Sequence, residues 1–133
     1  MSKYFTIYEL TRSDTALRHG IKNIPSQIAT LRLKQLIEIV LDPLRELWGA
    51  PITITSGYRS PKLNSLVGGV KNSQHITGNA ADLTAGSVNE NKRLFELIRH
   101  SDIPFDQLIL EKGGKWIHIS YRRHQPRKQT LKL

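Results

Sequence analysis

The sequence predicts an α+β fold in which a small, mainly antiparallel sheet packs against helices. Apolar residues recur at helical intervals in the first third of the chain, whereas β-branched and strand-like runs come later. Gly113-Gly114 lies between two apolar, branched segments, Phe105 to Leu110 and Trp116 to Tyr121, which is the mark of a tight hairpin. Helices that lead and strands that follow belong to α+β architecture, not to an alternating α/β fold.

The elements follow in order. Tyr4-Phe5-Thr6-Ile7-Tyr8-Glu9-Leu10 alternates weakly, and Thr11 and Ser13 are suited to cap a short helix through Leu17. Asn23-Ile24-Pro25-Ser26 is a break. From Ser26 to Val40, apolar Ile28, Leu31, Leu36, Ile37, Val40 and then Leu41 recur at three- and four-residue intervals, a helical period. Asp42 as N-cap with Pro43 at the first helical position starts a second helix, which reaches Trp48 and ends at Gly49. Pro51-Ile52-Thr53-Ile54-Thr55 reads as a short strand, Ser56 to Pro61 as a turn, and Pro61 as the start of a short helical piece.

Gly68-Gly69 opens a loop, and Ala80-Ala81-Asp82-Leu83 reads as a buried strand. Ser87 followed by Glu90 is a capping box for a helix ending near His100. With Gly113-Gly114 as a two-residue turn, Lys112 pairs with Lys115, Glu111 with Trp116, and Ile109 with His118.

At 133 residues the chain suits one domain, expected over 1–121, with 122–133 as a flexible basic tail. No run approaches the roughly 18 apolar residues of a membrane span, so no membrane partner is expected. The N-terminus lacks the pattern of a secretory signal, which predicts a protein that is cytoplasmic on synthesis and meets a cell wall only if released. With no cysteine, disulfides, thiolate metal sites and a cysteine nucleophile are excluded. A net charge of +9 draws a protein to polyanions, and Arg122 to Lys132 supplies five cations and no acid. That segment is read either as a solvated end or as an arm for an anionic wall polymer. Nucleic acid is a weaker partner, because aromatics are only 7% of the chain and a stacking surface needs them among the basic residues. A monomer is expected.

His75, Asp82 and His118 are the candidate metal ligands, each set among small or apolar residues. Imidazole and carboxylate donors suit zinc, and three protein ligands leave a position for the water of a catalytic site. The spacing of His75 and Asp82 fits no single helical face and requires a loop that feeds a strand. Residue type and spacing alone leave open hydrogen-bonded core histidines and a turn-capping aspartate. His19, His100 and His124 have no such setting.

Ser73-x-His75-x-x-Gly78-x-Ala80-x-Asp82, preceded by Ser56-Gly57-Tyr58-Arg59-Ser60 and followed by Trp116-Ile117-His118, resembles the zinc D-alanyl-D-alanine peptidases. That family includes D,D-carboxypeptidases, D,D-dipeptidases and phage endolysins, which hydrolyse D-Ala-containing peptide bonds of peptidoglycan stem peptides. The similarity runs from about Tyr4 to Tyr121 and is nearest to short, single-domain members of phages and bacterial genomes. It implies a hedgehog/D,D-peptidase-like fold with a zinc cleft, one zinc ion on His75, Asp82 and His118, and a peptidoglycan peptide as substrate. It further implies that Arg59 grips the substrate's anionic terminus or a carbonyl, for which a guanidinium fork is suited. Ser73 is expected to hydrogen-bond substrate, or else to form a turn. Trp116 and Tyr58 complete the substrate-facing set, with packing the alternative for Tyr58.

Peptide hydrolysis also needs a group to carry a proton from water to the leaving amine. Many relatives have an acid three positions before the last histidine, where this chain has Lys115. The hairpin register offers Glu111 instead, since Glu111, Trp116 and His118 share one face of the sheet. The alternative is a solvent glutamate at a hairpin end. Asp106 is a weaker candidate, better suited to a turn. A non-catalytic, zinc-containing wall-binding module is the competing function. Deletion of Arg122 to Leu133 is expected to spare peptidase activity.

Overall fold

The computed structural model describes residues 2–133. The helical part is punctuated by hydroxyl caps. Thr6 caps α1 (Ile7–Thr11), its side chain accepting the Glu9 N–H while the Glu9 carboxylate accepts the Thr6 N–H. This reciprocal cap overrides the weak alternation of the opening segment, which is helical and not extended. Ser13 caps α2 (Asp14–Arg18), and Ser26 caps α3 (Gln27–Leu36).

Asp42 does not start a separate helix. A π-helical stretch, Ile37–Leu41, runs from α3 straight into α4 (Asp42–Trp48), and Asp42 itself is helical at φ −63, ψ −47. The Asp42 N–H reaches the Ile37 carbonyl, the i→i−5 bond of a widened turn. That widening takes up Pro43, whose ring crowds the preceding turn of a regular α-helix. Gly49 ends the run as expected, donating its N–H to the Arg45 carbonyl.

Five strands form one sheet: β1 (Thr53–Ser56), β2 (Ala80–Thr84), β3 (Gln107–Glu111), β4 (Trp116–Ser120) and β5 (Gln129–Lys132), in the order β1-β2-β4-β3-β5. The pairings β1·β2, β2·β4 and β3·β4 are antiparallel, and β3·β5 is parallel. The helices α5 (Pro61–Leu66) and α6 (Val88–Arg99) lie between strands in sequence, each capped by the serine before it.

The period of two divides the sheet into a core face and a site face. Ala81, Leu83, Leu108, Leu110, Ile117 and Ile119 are buried in one cluster with Leu94, Phe95 and Ile98 of α6. A one-residue slip would turn these side chains outward, at about 1.5–3 kcal/mol for each large one, so the core fixes the register of the opposite face. Ala80, Asp82, His118, Ser120, Ile109 and Glu111 stand on that opposite face by register.

Two expectations about strands are corrected. The hairpin ladder closes at Glu111–Trp116 and Ile109–His118 as predicted, but the turn is four residues, 112–115, and not two. Gly114 and Lys115 both donate N–H to the Glu111 carbonyl. Their own carbonyls accept the Nδ2 of buried Asn91 at 2.9 and 3.2 Å, which holds the loop against α6.

The stretch 122–133 is not a tail. β5 pairs along the whole of β3 from Gln107 to Leu110, and the Leu110 carbonyl accepts the Leu133 N–H. Four of its five cations find partners on the rest of the domain: Arg127 and, at 3.9 Å, Arg122 with Asp106, Lys128 with the Ser101 and Ile103 carbonyls, and Lys132 with Glu96 at the surface. Among the described residues, no helix is long and apolar enough to cross a membrane.

Candidate metal centre

His75, Asp82 and His118 meet on the site face. Asp82 and His118 are direct cross-strand partners on β2 and β4. His75 arrives from the loop of residues 67–79 between α5 and β2, and its ring meets that of His118 edge-on at 5.1 Å between centroids. One donor atom from each residue lies within 4.8 Å of the other two, and His75 and Asp82 are buried.

The loop is shaped by close approach. Gly78 has φ +80, and a Cβ there would sit 2.5 Å from the Ala29 carbonyl of α3. A Cβ on Gly57 would overlap the Leu10 carbonyl, so only glycine lets the β1–α5 turn pass beneath the His75 ring. The two segments are then tied reciprocally. The His75 Nδ1 lies 2.7 Å from the Gly57 carbonyl, and the Arg59 N–H donates to the His75 carbonyl at 3.1 Å.

That tie decides the chemistry of His75. A carbonyl only accepts, so Nδ1 carries a proton, and in the neutral form of the ring the lone pair is the one on Nε2. Nε2 points at Asp82 Oδ1, 3.3 Å away, and the same oxygen is 3.0 Å from His118 Nδ1. The His118 contact closes as an ordinary N–H donation in one neutral tautomer, whereas the lone pairs of His75 Nε2 and Asp82 Oδ1 are reconciled by a cation between them, either a proton or a metal ion. Two imidazoles and one carboxylate, with the His75 tautomer locked by a carbonyl behind it, are a donor set that fits a divalent ion. Burial alone would raise the Asp82 carboxyl, but hydrogen bonds and positive charge from the His118 and His75 rings, when these carry protons on the facing nitrogens, hold it well below the ordinary carboxylate range.

The chain belongs to the peptidase M15 family. The family's sequence pattern matches residues 3–120, which spans every element up to the end of β4. A similar protein is the zinc D-Ala-D-Ala carboxypeptidase of Streptomyces albus G, 41% identical over 85 residues. That stretch is 62% of this chain and 32% of the relative, so the chain spans about a third of that relative's length.

Against this peptidase M15 frame, the remaining expected site residues are placed as follows. Arg59 turns its guanidinium inward: Nε donates to Ser56 Oγ at 3.1 Å, Nη1 to Asn64 Oδ1 at 3.1 Å, and Nη2 to Asp82 Oδ2 at 3.3 Å. It fixes the oxygen of Asp82 that does not face the histidines. A β-bulge in β1 makes this possible, because the register shift between Ile54 and Ser56 sets Ser56 opposite Asp82. Ser73 is buried, and its Oγ accepts the His75 N–H at 3.1 Å, so it shapes the metal loop. Tyr58 lies in the hydrophobic core, where burial pushes its phenol up.

Trp116 and Glu111 face each other as cross-strand partners, two pairs along from His118 and so on its face, and both are half-buried. Lys115 is exposed in the hairpin loop. Asp106 is no turn residue of the surface: its side chain is fully buried beneath Arg127 and Gln74. Sequence reasoning missed the Gly57 carbonyl, the Ser56 bulge and the Asp106 contacts. Only Gly57 left a trace, as a glycine in the turn from Ser56 to Pro61.

Proposed function

We propose that the protein is a zinc metallopeptidase that hydrolyses D-Ala-containing peptide bonds of peptidoglycan stem peptides. The observation that carries this is the convergence of His75 Nε2, Asp82 Oδ1 and His118 Nδ1 with the His75 tautomer fixed. Membership of the peptidase M15 family and likeness to the Streptomyces D-Ala-D-Ala carboxypeptidase support the substrate class. Zinc held by these three residues supplies a Lewis acid and a water of lowered pKa.

The chain's own groups divide the rest of the work. The Gly57 carbonyl keeps the lone pair of His75 aimed at the ion, and Arg59 keeps Asp82 turned so that Oδ1 faces the histidines. Arg59 retains N–H donors beyond its three bonds, and these are offered to the carboxylate or carbonyl of the substrate. The Ser73 oxygen is occupied as an acceptor, which leaves its O–H free to donate to the peptide. Glu111 takes a proton at its carboxylate and returns it to the leaving amine, because the register puts it on the face of His118. Trp116 lines the same face beside it and offers an apolar wall. A +9 chain suits an anionic wall surface, which supports the endolysin-like reading of its place of action.

The test is release of D-Ala, or of new peptide ends, from purified peptidoglycan. Wild-type protein is expected to lose the activity on chelation and to regain it with zinc. Glu111→Gln is expected to keep its zinc and lose the activity. Equal activity in Glu111→Gln would move the proton carrier elsewhere, and a zinc-loaded wild type without activity would leave a wall-binding module.

A further inference from the structure

The stretch of chain beyond the family match reaches back to the metal loop through one buried carboxylate. Asp106 stands just before β3 with its side chain wholly buried. Its Oδ1 accepts the Arg127 backbone N–H at 3.0 Å and Nε at 2.9 Å. Its Oδ2 accepts Arg127 Nη2 at 2.7 Å and Gln74 Nε2 at 3.0 Å. The two-pronged arginine contact fixes the plane of the carboxylate, and with it the direction of the lone pair left for Gln74.

Gln74 is the residue immediately before His75, and the loop folds around it. Its carbonyl accepts the Asn79 N–H at 2.9 Å and the Thr77 hydroxyl at 3.1 Å. His75 therefore hangs between two anchors. On one side stand the Gly57 carbonyl and the Arg59 N–H; on the other stands Gln74, held by Asp106. The outer end of the second anchor is Arg127, which lies past residue 120, the last residue of the family match.

We propose that Arg127, Asp106 and Gln74 form a brace that positions His75 for its metal ion, which makes the segment after Tyr121 a working part of the metal centre. The proposal rests on the metal-binding reading above. Asp106, Gln74 and Arg127 are positioning residues, since none of them supplies a donor to the ion. The bland counterpart is that Asp106 only pins the C-terminal segment, with Gln74 touching it incidentally. The two differ in one observable: a mere pin changes folding stability, whereas a brace changes metal affinity in protein that is folded.

The experiment is zinc affinity of the full chain, measured by competition with a chromophoric chelator, beside thermal unfolding of the metal-free protein. Gln74→Ala is expected to bind zinc roughly 10-fold more weakly, the low end of the loss seen when a group bonded directly to a ligand is removed, since Gln74 acts on His75 through the backbone. Its unfolding midpoint should stay near that of the wild type, because the Arg127–Asp106 pair is intact. Arg127→Ala should weaken zinc binding in the same direction, and Arg127→Lys should fall between, since an ammonium restores charge without the fork. Lys128→Ala, which removes donors to the Ser101 and Ile103 carbonyls outside the brace, should keep wild-type affinity. If Arg127→Ala fails to fold, the half-buried Gln74 decides alone. Wild-type affinity in Gln74→Ala overturns the brace while leaving the metal site standing. A wild type that binds no zinc overturns the metal reading itself, and the brace with it.

Discussion

Two buried carboxylates, Asp82 and Asp106, each face an arginine, and they differ in what else faces them. Around Asp106 every close partner is a donor: a guanidinium fork, a backbone N–H and an amide. Its charge is satisfied by the protein alone. Asp82 has one guanidinium contact on Oδ2, while Oδ1 looks toward two imidazole nitrogens, one of which has its proton committed elsewhere. Burial costs both carboxylates hydration; Asp106 offsets it with fixed donors, whereas Asp82 does so only when the facing imidazole nitrogens carry protons or share a cation with it. A buried carboxylate that is saturated with donors holds a structure together. One that shares an oxygen between two imidazole nitrogens has the donor set of a metal site.

The sharpest way to break this comparison is to remove each carboxylate in turn. Asp82→Ala should bring zinc binding and D-Ala release to background, because two imidazoles alone make a poor site. Asp106→Asn should keep measurable zinc binding, weakened through the brace, and retain partial activity. Isothermal titration with zinc, run beside the release assay, reads both variants. Equal zinc affinity in the two would erase the distinction.

The sequence carried one of these aspartates far better than the other. Asp82 sits in a compact motif with His75, Gly78 and Ala80, so its standing as a candidate ligand was legible before any geometry. The hairpin register that sets Glu111 opposite Trp116 was legible too, from Gly113-Gly114 between two apolar runs. Asp106 was not, because its partners Gln74 and Arg127 lie 32 and 21 residues away and share no pattern with it. The run Arg122-Arg123-His124-Gln125-Pro126-Arg127-Lys128 reads as a solvated end by composition, and only a tertiary contact turns its cations inward. The same limit hid the π-helical stretch, since Asp42-Pro43 is also a regular start signal for a helix and the widened turn before it has no local mark.

Stability separates the pair next. Asp106→Ala removes the charged acceptor shared by Gln74 and by the Arg127 guanidinium and backbone N–H, a loss of about 1.5–3 kcal/mol for hydrogen bonds to a charged group. Urea unfolding of the metal-free protein measures it. A loss below about 0.5 kcal/mol, the range of surface substitutions, would mean that β5 is held by its ladder to β3 alone.

Acid should show the same contrast. Hydrogen bonding from Arg127 outweighs burial and holds the Asp106 carboxyl well below the ordinary range. A group whose folded pKa is depressed adds stability above its unfolded pKa, about 3.9 for aspartate, and that stability drains away as pH falls. The metal-free wild type should therefore weaken steadily from about pH 5 downward. Asp106→Asn should flatten that slope without abolishing it, because Asp82 titrates with the same sign. Unfolding free energies at several acidic pH values give the slope, and an unchanged slope in Asp106→Asn would place the acid sensitivity elsewhere.

The smallest effect belongs to Ser73, and it tests how far the metal loop depends on anchors other than the brace. Ser73 Oγ accepts the His75 N–H from within the loop itself, so Ser73→Ala removes one neutral hydrogen bond at a buried position. The expected loss is about 1 kcal/mol of stability. Zinc affinity should change little, since the Gly57 carbonyl and Gln74 still aim the ring. If the free Ser73 hydroxyl also donates to substrate, the variant will show a raised KM with kcat nearly preserved, the mark of a contact made equally in ground and transition states. A large fall in zinc affinity instead would shift weight from the brace to the loop's own hydrogen bonds, and Gln74→Ala should then be the milder of the two variants.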